Sequence, residues 1–360
     1  MKGTLSFIPE ARKIDFYEYE LPQPEPGAML TEVTRTNVCG SEVHMWRGEF
    51  GRRGAMPGHE MVGRVHSLGQ GVTTDTAGQP LKEGDRIAPV YYRVCGLCAN
   101  CREGNAAACT GLSIRAKRLI PDEAPHFHTP WATHYYIHPG QHVYKVPDNV
   151  PDHAASSANC ALSQVFFSLD RLNLRYDETL VVQGAGGLGL HAMAVAKARG
   201  ARVIAIDGVD LRLQRAKAFG ADEVIDMREY ASVKDRTVRV RELTDGLGSD
   251  VVLEVAGVPA AFEEAIQLVR SGGRIAELGN ISIGLQATIS PSLITFKSIS
   301  VVGVSTYNPH YLHKALQFLS EHMDQYPYHE LVDAEFPLKN AAEAMDKSDR
   351  KEITRAALVP

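Results

Sequence analysis

Hydrophobic and polar positions follow different patterns in two parts of the chain. Up to about residue 150, short apolar alternations are interrupted by prolines and glycines, which predicts a β-rich, loop-rich domain. From about residue 160, short apolar runs alternate with segments of helical period. The strands expected there are Thr179–Gln183, Arg202–Asp207, Glu223–Asp226, 250–255, 274–278 and 298–304.

Several of these strands are apolar at every position, as in Val203-Ile204-Ala205-Ile206 and Val251-Val252-Leu253. Continuous apolar runs are typical of parallel strands whose two faces are both covered by helices. Helices are expected between the strands at 188–199, 210–219, 233–244 and 259–269. The alternation of strands and helices predicts an α/β fold with a doubly wound parallel sheet.

A chain of 360 residues is too long for one ordinary core, so two domains are expected. Residues 1–160 form the predicted first, β-rich domain, and residues 161–304 form the predicted second domain with the doubly wound sheet. The remaining segment, 305–360, has a helical pattern at 310–323 but is too short for a third domain. We therefore expect it to return and complete the first domain.

The composition is that of an ordinary globular protein, with 44% hydrophobic and 22% charged residues. The net charge of -5 gives no electrostatic attraction to nucleic acid or to anionic lipid, so a small-molecule partner is expected. The amino terminus lacks an apolar leader segment, and no run of 18 uncharged apolar residues occurs. These features predict a cytoplasmic protein.

A glycine-rich motif, Gly184-Ala185-Gly186-Gly187-Leu188-Gly189, directly follows the strand Thr179–Gln183 and opens a predicted helix. In this context the first glycine permits a tight turn, the second lets a pyrophosphate approach, and the third allows close helix–strand packing. The amino end of the helix supplies amide donors and positive potential. The motif predicts a dinucleotide site, whereas the same glycines without a strand and a helix would indicate only a turn.

Asp207 ends the next strand, 23 residues after Gly184. A carboxylate there accepts hydrogen bonds from the ribose hydroxyls of NAD and repels the extra phosphate of NADP. The alternative is that Asp207 only caps the following helix. Arg212 is a nearby base that would accommodate a phosphate, but Asp207 favours NAD.

Four of the six cysteines lie within 15 residues: Cys95, Cys98, Cys101 and Cys109. In a reducing compartment such a cluster indicates a metal rather than disulfides. Zinc in a structural role prefers a closed tetrahedral shell of thiolates. An iron–sulfur cluster and independent buried cysteines are the alternatives.

The other two cysteines stand in further motifs. Cys39-Gly40-Ser41-Glu42-Val43-His44 precedes Gly58-His59-Glu60-Met61-Val62-Gly63-Arg64-Val65, with His59 20 residues after Cys39. Cys160 stands in Asn159-Cys160-Ala161-Leu162. Together with the four-cysteine segment and the glycine motif, these segments make the chain resemble the zinc-containing medium-chain alcohol dehydrogenases over essentially its whole length.

The resemblance implies a GroES-like catalytic domain, a Rossmann cofactor domain, two zinc ions per chain and a homodimer or homotetramer. It makes Cys39, His59 and Cys160 the ligands of an open catalytic zinc, with Glu60 next to the metal. Water or alcohol would take the fourth position. For Cys160 the alternative is an ordinary buried cysteine.

The resemblance also assigns a proton path. Ser41 matches the hydroxyl that takes the proton of the substrate, and His44 matches the residue that passes it to solvent. Zinc lowers the pKa of bound water from about 15.7 to about 7 and should act similarly on an alcohol. Without the motif, Ser41 would be a capping serine and His44 a surface histidine.

Tyr91 and Trp46 are the candidate residues of a substrate pocket, with core packing as the alternative for each aromatic side chain. The family often has a G-x-x-A-E-Y stretch where this chain has Pro130-Trp131-Ala132-Thr133-His134-Tyr135, which bears on the pocket wall. Glu42 replaces the aspartate more usual after the serine. We expect this replacement to be tolerated.

The leading hypothesis is oxidation of a primary or secondary alcohol to an aldehyde or ketone by hydride transfer to NAD. The aromatic pocket candidates favour an apolar and cyclic substrate. The sequence also shows no obvious set of charged residues that would bind a charged one. Alternatives are a polyol or amino-alcohol dehydrogenase and a carbonyl reductase. A nucleotide-binding protein without catalysis is also considered, but intact Cys39, His59, Cys160 and Ser41 disfavour it.

Overall fold

The structure is a computed structural model and describes residues 1–49, 54–111, 120–282 and 284–360. These residues divide into two compact units. The first comprises Met1–Ser163, Asn308–Met323 and Tyr328–Pro360, and the second comprises Gln164–Tyr307 and Asp324–Pro327. Most of the carboxyl-terminal segment therefore belongs to the same unit as the amino terminus.

The amino-terminal part of the first unit is built mainly from short strands. They are β1 (Lys2–Phe7), β2 (Asp15–Glu20), β3 (Met29–Asn37), β4 (Met61–Leu68), β5 (Arg86–Pro89), β6 (His134–Ile137) and β7 (Val143–Lys145). The helices are short: α1 (Gly40–Trp46), α2 (Ala99–Arg102) and α3 (Asp152–Ala155), with a 3-10 turn at Ala106–Ala108 and a π-helical turn at Ala158–Leu162.

The second unit alternates helices and strands. The helices are α4 (Ser163–Arg171), α5 (Gly187–Ala198), α6 (Asp210–Ala218), α7 (Val233–Glu242), α8 (Pro259–Leu268) and α9 (Pro291–Lys297). The strands are β8 (Thr179–Gln183), β9 (Arg202–Asp207), β10 (Glu223–Asp226), β11 (Ser249–Glu254), β12 (Val269–Glu277) and β13 (Ser300–Gly303). No helix in the described ranges is long and apolar enough to cross a membrane.

The chain then returns to the first unit. Its last elements are α10 (Tyr311–His322), β14 (Ala334–Pro337), α11 (Ala341–Asp349) and β15 (Ala356–Val359), with 3-10 turns at Tyr328–Glu330 and Leu338–Asn340. The larger sheet of this unit has the strand order β14-β15-β3-β4-β5-β7, and β6 also pairs with β3. The last strand, β15, thus lies directly beside β3.

The sheet of the second unit has the order β10-β9-β8-β11-β12-β13, and all its neighbouring strands run parallel. Val181, Ile204 and Val252 are completely buried in its core. This doubly wound sheet, together with the β-rich first unit, confirms the predicted fold class. The strands at 179–183, 202–207 and 223–226 begin and end as the sequence predicts.

Candidate active site

The pairing of β3 with β4 brings two distant motifs together. The strands are antiparallel, and Thr36, near the end of β3, lies opposite Met61, the first residue of β4. Cys39 follows β3 and His59 precedes β4, so both lie at one edge of the sheet. The register of these two strands therefore determines where the motif residues meet.

Cys39, His59, Glu60 and Cys160 form a cluster in which one ligand atom of each side chain lies within 4.8 Å of all the others. The Nε2 atom of His59 is 3.1 Å from Sγ of Cys160. Zinc bonds of about 2.3 Å to sulfur and about 2.0 Å to nitrogen place tetrahedral ligand atoms roughly 3.3–3.8 Å apart. The donor set and its spacing therefore fit a zinc ion.

The two thiols of this cluster differ in acidity. A hydrogen bond from Cys160 and the charge of His59 hold the pKa of Cys39 well below its usual range, although burial opposes this. The hydrogen bond to Cys39, together with burial, raises the pKa of Cys160. Thiolate is the form of cysteine that binds metal ions, so the surroundings of Cys39 favour the form that ligation requires.

Glu42 orients the histidine of the cluster. Its Oε1 atom is 2.6 Å from Nδ1 of His59, and its Oε2 accepts a hydrogen bond from the backbone amide of Cys39 at 2.9 Å. Burial disfavours a charged imidazole, but the Glu42 carboxylate and Cys39 together outweigh it and raise the pKa of His59. With Nδ1 held by Glu42, Nε2 faces the cluster, which is the usual arrangement behind a metal-binding histidine.

Glu60 is fully buried and forms an ion pair with Arg355, which immediately precedes β15. Its Oε2 atom accepts hydrogen bonds from Arg355 and from Nδ2 of Asn37. Its Oε1 atom is buried and has no hydrogen-bond partner among the described residues. One carboxylate oxygen is thus anchored to the protein, while the other remains available beside the cluster.

Cys160 lies in the π-helical turn Ala158–Leu162, whose residues are all buried. Such turns are rare and frequently occur at functional sites. The neighbouring Asn159 donates hydrogen bonds to the carbonyl oxygens of His59 at 2.9 Å and Pro89 at 3.0 Å. Sequence reasoning missed Asn159, although it directly precedes a candidate ligand and is a buried amide that needs partners.

Ser41 and His44 lie three residues apart in helix α1, on one face. The Oγ atom of Ser41 is buried and has no hydrogen-bond partner in the described part of the chain. The Nδ1 atom of His44 is 2.5 Å from Oε2 of Glu49, and the His44 side chain is 22% exposed. A buried hydroxyl one turn from a partly exposed imidazole suits proton transfer toward solvent.

The two aromatic pocket candidates have different surroundings. The ring centroid of Tyr91 is 4.9 Å from that of His59, so Tyr91 borders the cluster. Trp46 is 2% exposed, packs in a hydrophobic core, and donates its indole N–H to Asp346 at 3.0 Å. Trp46 thus has the surroundings of core packing, which was the alternative considered for it.

The unusual segment at 130–135 also supports the site. Trp131 is completely buried, and its indole N–H donates to the carbonyl oxygen of Asn37 at 3.3 Å. Its ring lies against Gly58, where an added Cβ would come within 2.2 Å of the indole. Gly58 also has φ of +94°, so glycine is required immediately before His59.

Cys95, Cys98, Cys101 and Cys109 form the second cluster, with their sulfur atoms within 4.8 Å of one another. Hydrogen bonds from the backbone amides of Cys101 and Thr110 lower the pKa of Cys98 to about 6. Asn308 holds the adjoining loop: it accepts a hydrogen bond from the amide of Ala107 and donates one to the carbonyl of Gly104, both at 2.8 Å. Four converging thiols fit a closed structural zinc site.

The glycine motif has the geometry expected of a dinucleotide turn. Gly184 has φ of +99°, and an added Cβ at Gly189 would lie 2.0 Å from the carbonyl oxygen of Gly184. Apart from Gly186 itself and its two chain neighbours, no described residue has an atom within 4 Å of the Cβ position of Gly186, which caps α5. Leu188 and Gly187 continue into that helix. The open space at Gly186 and the free helix end fit a pyrophosphate.

Asp207 is 7% exposed and contacts this turn directly. Its Oδ2 atom accepts a hydrogen bond from the amide of Ala185 at 2.8 Å, and Oδ1 accepts from Gly208 and Val209 at 2.7 and 3.0 Å. Arg212 is 3.8 Å from Oδ2. The carboxylate is thereby fixed at the carboxyl end of β9, beside the glycine turn.

Comparison with known proteins identifies the family. Residues 25–148 match the alcohol dehydrogenase GroES-like domain, and residues 187–321 match the zinc-binding dehydrogenase domain. The chain is 35% identical to 5-exo-hydroxycamphor dehydrogenase of Pseudomonas putida, over 94% of this chain and 93% of that protein. It is 33% identical to L-threonine 3-dehydrogenase of Pyrococcus abyssi, over 81% of this chain and 79% of that protein.

Comparison with solved structures points to the same family. An alcohol dehydrogenase from Thermotoga maritima, 27% identical, matches with a TM-score of 0.93 and covers 100% of both chains. The chain therefore belongs to the zinc-containing medium-chain alcohol dehydrogenase family, whose members are oxidoreductases. A zinc-binding family favours zinc over an iron–sulfur cluster at the four cysteines.

Replacing Gly58 tests the packing behind His59. The Gly58→Ala variant should lose most activity and unfold at a lower urea concentration, because the new Cβ overlaps Trp131. Gly84→Ala is a matched control, since Gly84 has φ of +85° with no neighbouring atom within 4 Å of its Cβ position. The control should lose only about 1–2 kcal/mol from backbone strain. Equal effects in both variants would contradict a specific role of the Trp131 contact.

Replacing Glu42 tests the orientation of His59. The Glu42→Gln variant should bind zinc at the first cluster about 10- to 100-fold more weakly, because the charged partner of Nδ1 is lost. Competition with a chelating dye measures this affinity. Glu83→Gln changes an exposed carboxylate of the same unit and should leave zinc affinity unaltered. Unchanged affinity in the Glu42 variant would show that the hydrogen bond to His59 does not support metal binding.

Proposed function

We propose that this protein oxidises a secondary, cyclic and largely apolar alcohol to a ketone, with NAD as hydride acceptor and two zinc ions per chain. The observation that carries the proposal is the cluster of Cys39, His59, Glu60 and Cys160, which provides the donor set of an open zinc site. The hydroxyl of Ser41, two residues from Cys39, has no partner among the described residues and supplies a hydrogen-bonding group for the substrate.

Cys39, His59 and Cys160 would hold the catalytic zinc, which lowers the pKa of an alcohol hydroxyl in its open position. Ser41 accepts the proton of that hydroxyl, and His44 passes it to solvent. Glu42 keeps His59 oriented through the 2.6 Å contact with Nδ1. Bound NAD would accept the hydride of the carbinol carbon, so that loss of the proton along this path would give a ketone, reduced cofactor and a proton.

The substrate class is supported by likeness and by the surroundings of the cluster. The Pseudomonas putida relative is named for 5-exo-hydroxycamphor, a secondary alcohol on a bicyclic ring. The aromatic ring of Tyr91 borders His59 and offers an apolar surface to such a ring. The match to L-threonine 3-dehydrogenase favours an amino-alcohol as the second candidate.

The cofactor preference rests on Asp207. Its carboxylate is buried and held by three backbone amides, so it lies in a fixed place beside the glycine turn. A fixed negative charge there repels the additional phosphate of NADP and accepts hydrogen bonds from ribose hydroxyls. Arg212, at 3.8 Å, neutralises only part of this charge because its contact with Asp207 is long.

A substrate panel tests the proposed activity. Formation of reduced cofactor at 340 nm should give a higher kcat/KM for borneol and cyclohexanol than for sorbitol or L-threonine, because Tyr91 offers an apolar surface beside the cluster. NAD should be preferred to NADP, and Asp207→Ser should reduce that preference by about tenfold or more. A higher kcat/KM for sorbitol or L-threonine would replace the proposal with the polyol or amino-alcohol alternative. Activity with NADP alone would contradict the role of Asp207.

Metal analysis tests the two zinc sites separately. The wild-type protein should contain two zinc ions per chain, and Cys39→Ala should contain one and be inactive. Cys98→Ala should lose the other zinc, because a closed thiolate shell needs all four ligands. Retention of two zinc ions by the Cys39 variant would show that the first cluster is not a zinc site.

A further inference from the structure

Two glutamates end neighbouring strands in the second unit. Glu254 ends β11, Glu277 ends β12, and the two residues lie opposite each other in the parallel register. Glu254 is completely buried. The Nδ2 atom of Asn280 donates to Oε2 of Glu254 at 3.2 Å and to Oε1 of Glu277 at 2.9 Å. One amide therefore bridges two carboxyl groups at the edge of the sheet where ligands of this fold bind.

Glu254 also connects two loops. Its Oε1 atom accepts hydrogen bonds from the amides of Ala256 and Gly257, each at 2.8 Å, in the loop after β11. In the loop after β12, an added Cβ at Gly279 would lie 2.5 Å from the nitrogen of Gly257 and 2.6 Å from Oε2 of Glu254. The two loops thus pack against each other around the Glu254 carboxyl group.

These loops lie at the point where the strand order reverses. Strands β8 and β11 are neighbours there, and an added Cβ at Gly184 would lie 3.0 Å from Cα of Ala256. In a doubly wound sheet, each half of the sheet binds one of the two mononucleotides of a dinucleotide. The glycine turn and Asp207 belong to the half containing β8, β9 and β10. The loops held by Glu254 therefore belong to the half that would receive the nicotinamide.

The surroundings of Glu254 favour its neutral form. Burial, followed by the charge of Glu277, raises the pKa of Glu254 to about 8. Glu277 faces it from β12, and from β8 the residue opposite is the uncharged Gln183. The remaining polar neighbours are Asn280 and the two backbone amides. No basic side chain among the described residues forms an ion pair or a hydrogen bond with Glu254. The two backbone amides oppose the rise in its pKa but do not outweigh burial and the charge of Glu277.

We propose that Glu254 is a positioning residue for the nicotinamide half of the cofactor and acts in its neutral form beside Glu277. The neutral Glu254 carboxyl group keeps the loops after β11 and β12 together in the shape that receives the nicotinamide. Loss of its proton to solvent leaves two adjacent carboxylates, whose repulsion separates the loops. This inference rests on the proposed function as a dinucleotide-dependent enzyme.

Calorimetric binding of two probes tests the proposal on the purified full-length protein. NADH contains both halves of the cofactor, whereas ADP-ribose lacks the nicotinamide. Wild-type affinity for NADH should fall about tenfold between pH 6.5 and pH 9, while affinity for ADP-ribose stays nearly constant. Glu254→Gln, which is neutral at every pH, should keep the tight binding of NADH across this range. Glu254→Ala should weaken NADH at both pH values and leave ADP-ribose unchanged.

The free energy of unfolding provides a readout that needs no nucleotide. Between pH values of about 4.5 and about 8, Glu254 keeps its proton in the folded protein but has lost it in the unfolded chain. The contribution of this residue to stability therefore falls as pH rises through that window and is constant above it. The difference in stability between wild type and Glu254→Gln should change with pH in the same window.

Two results would overturn the inference. One is a wild-type pH dependence of NADH affinity that persists in Glu254→Gln, because another group would then be responsible. The other is an equal loss of NADH and ADP-ribose affinity in Glu254→Ala, which would indicate general damage to the unit. Failure of the wild-type protein to bind either probe would instead refute the proposed function, and the unfolding measurements would still report whether Glu254 holds the proton.

Discussion

The buried ion pair between Glu60 and Arg355 connects the cluster of candidate zinc ligands to the last strand, β15. Both residues are almost completely buried, so each charge has lost its hydration and depends on the other. Such a pair adds little net stability, but removal of one partner typically costs about 3–5 kcal/mol. It fixes β15 beside β3 and leaves one oxygen of Glu60 facing Cys39 and His59. The geometry of the cluster thus depends on residues from both ends of the chain.

Around this pair, further side chains support the residues of the cluster. Glu42 holds His59, Asn159 links the turn carrying Cys160 to the segment carrying His59, and Trp131 supports Gly58. These contacts fix the donor atoms before a metal arrives, which reduces the conformational entropy lost on binding. In the second unit, Asp207 fixes the glycine turn and Glu254 fixes the loops after β11 and β12 in a comparable way.

Much of the fold could be predicted because its signals are local. The apolar runs of β8, β9 and β10 have the residue types and lengths of buried parallel strands, and their bounds agree with the structure. The sequence pattern does not predict helices α4 and α9. Helix α4 directly follows the π-helical turn and has no N-cap residue that marks its start. Helix α9 has no fully buried residue, so its sequence lacks a clear apolar face. For Trp46, pocket and core are both compatible with the sequence, because no local pattern distinguishes an aromatic residue in a core from one beside a substrate.

The sequence by itself determined the family, the fold class, the glycine turn and the six cysteines with their two groupings, because each depends on residue type and short spacing. Only the tertiary structure showed that Glu60 pairs with Arg355, that Asn159 supports the site, and that Glu254 meets Glu277. Glu60 and Arg355 lie 295 residues apart along the chain, and Asn159 lies 100 residues from His59, whose carbonyl oxygen it binds. Contacts at such separations are produced by strand register and burial, which no short motif encodes.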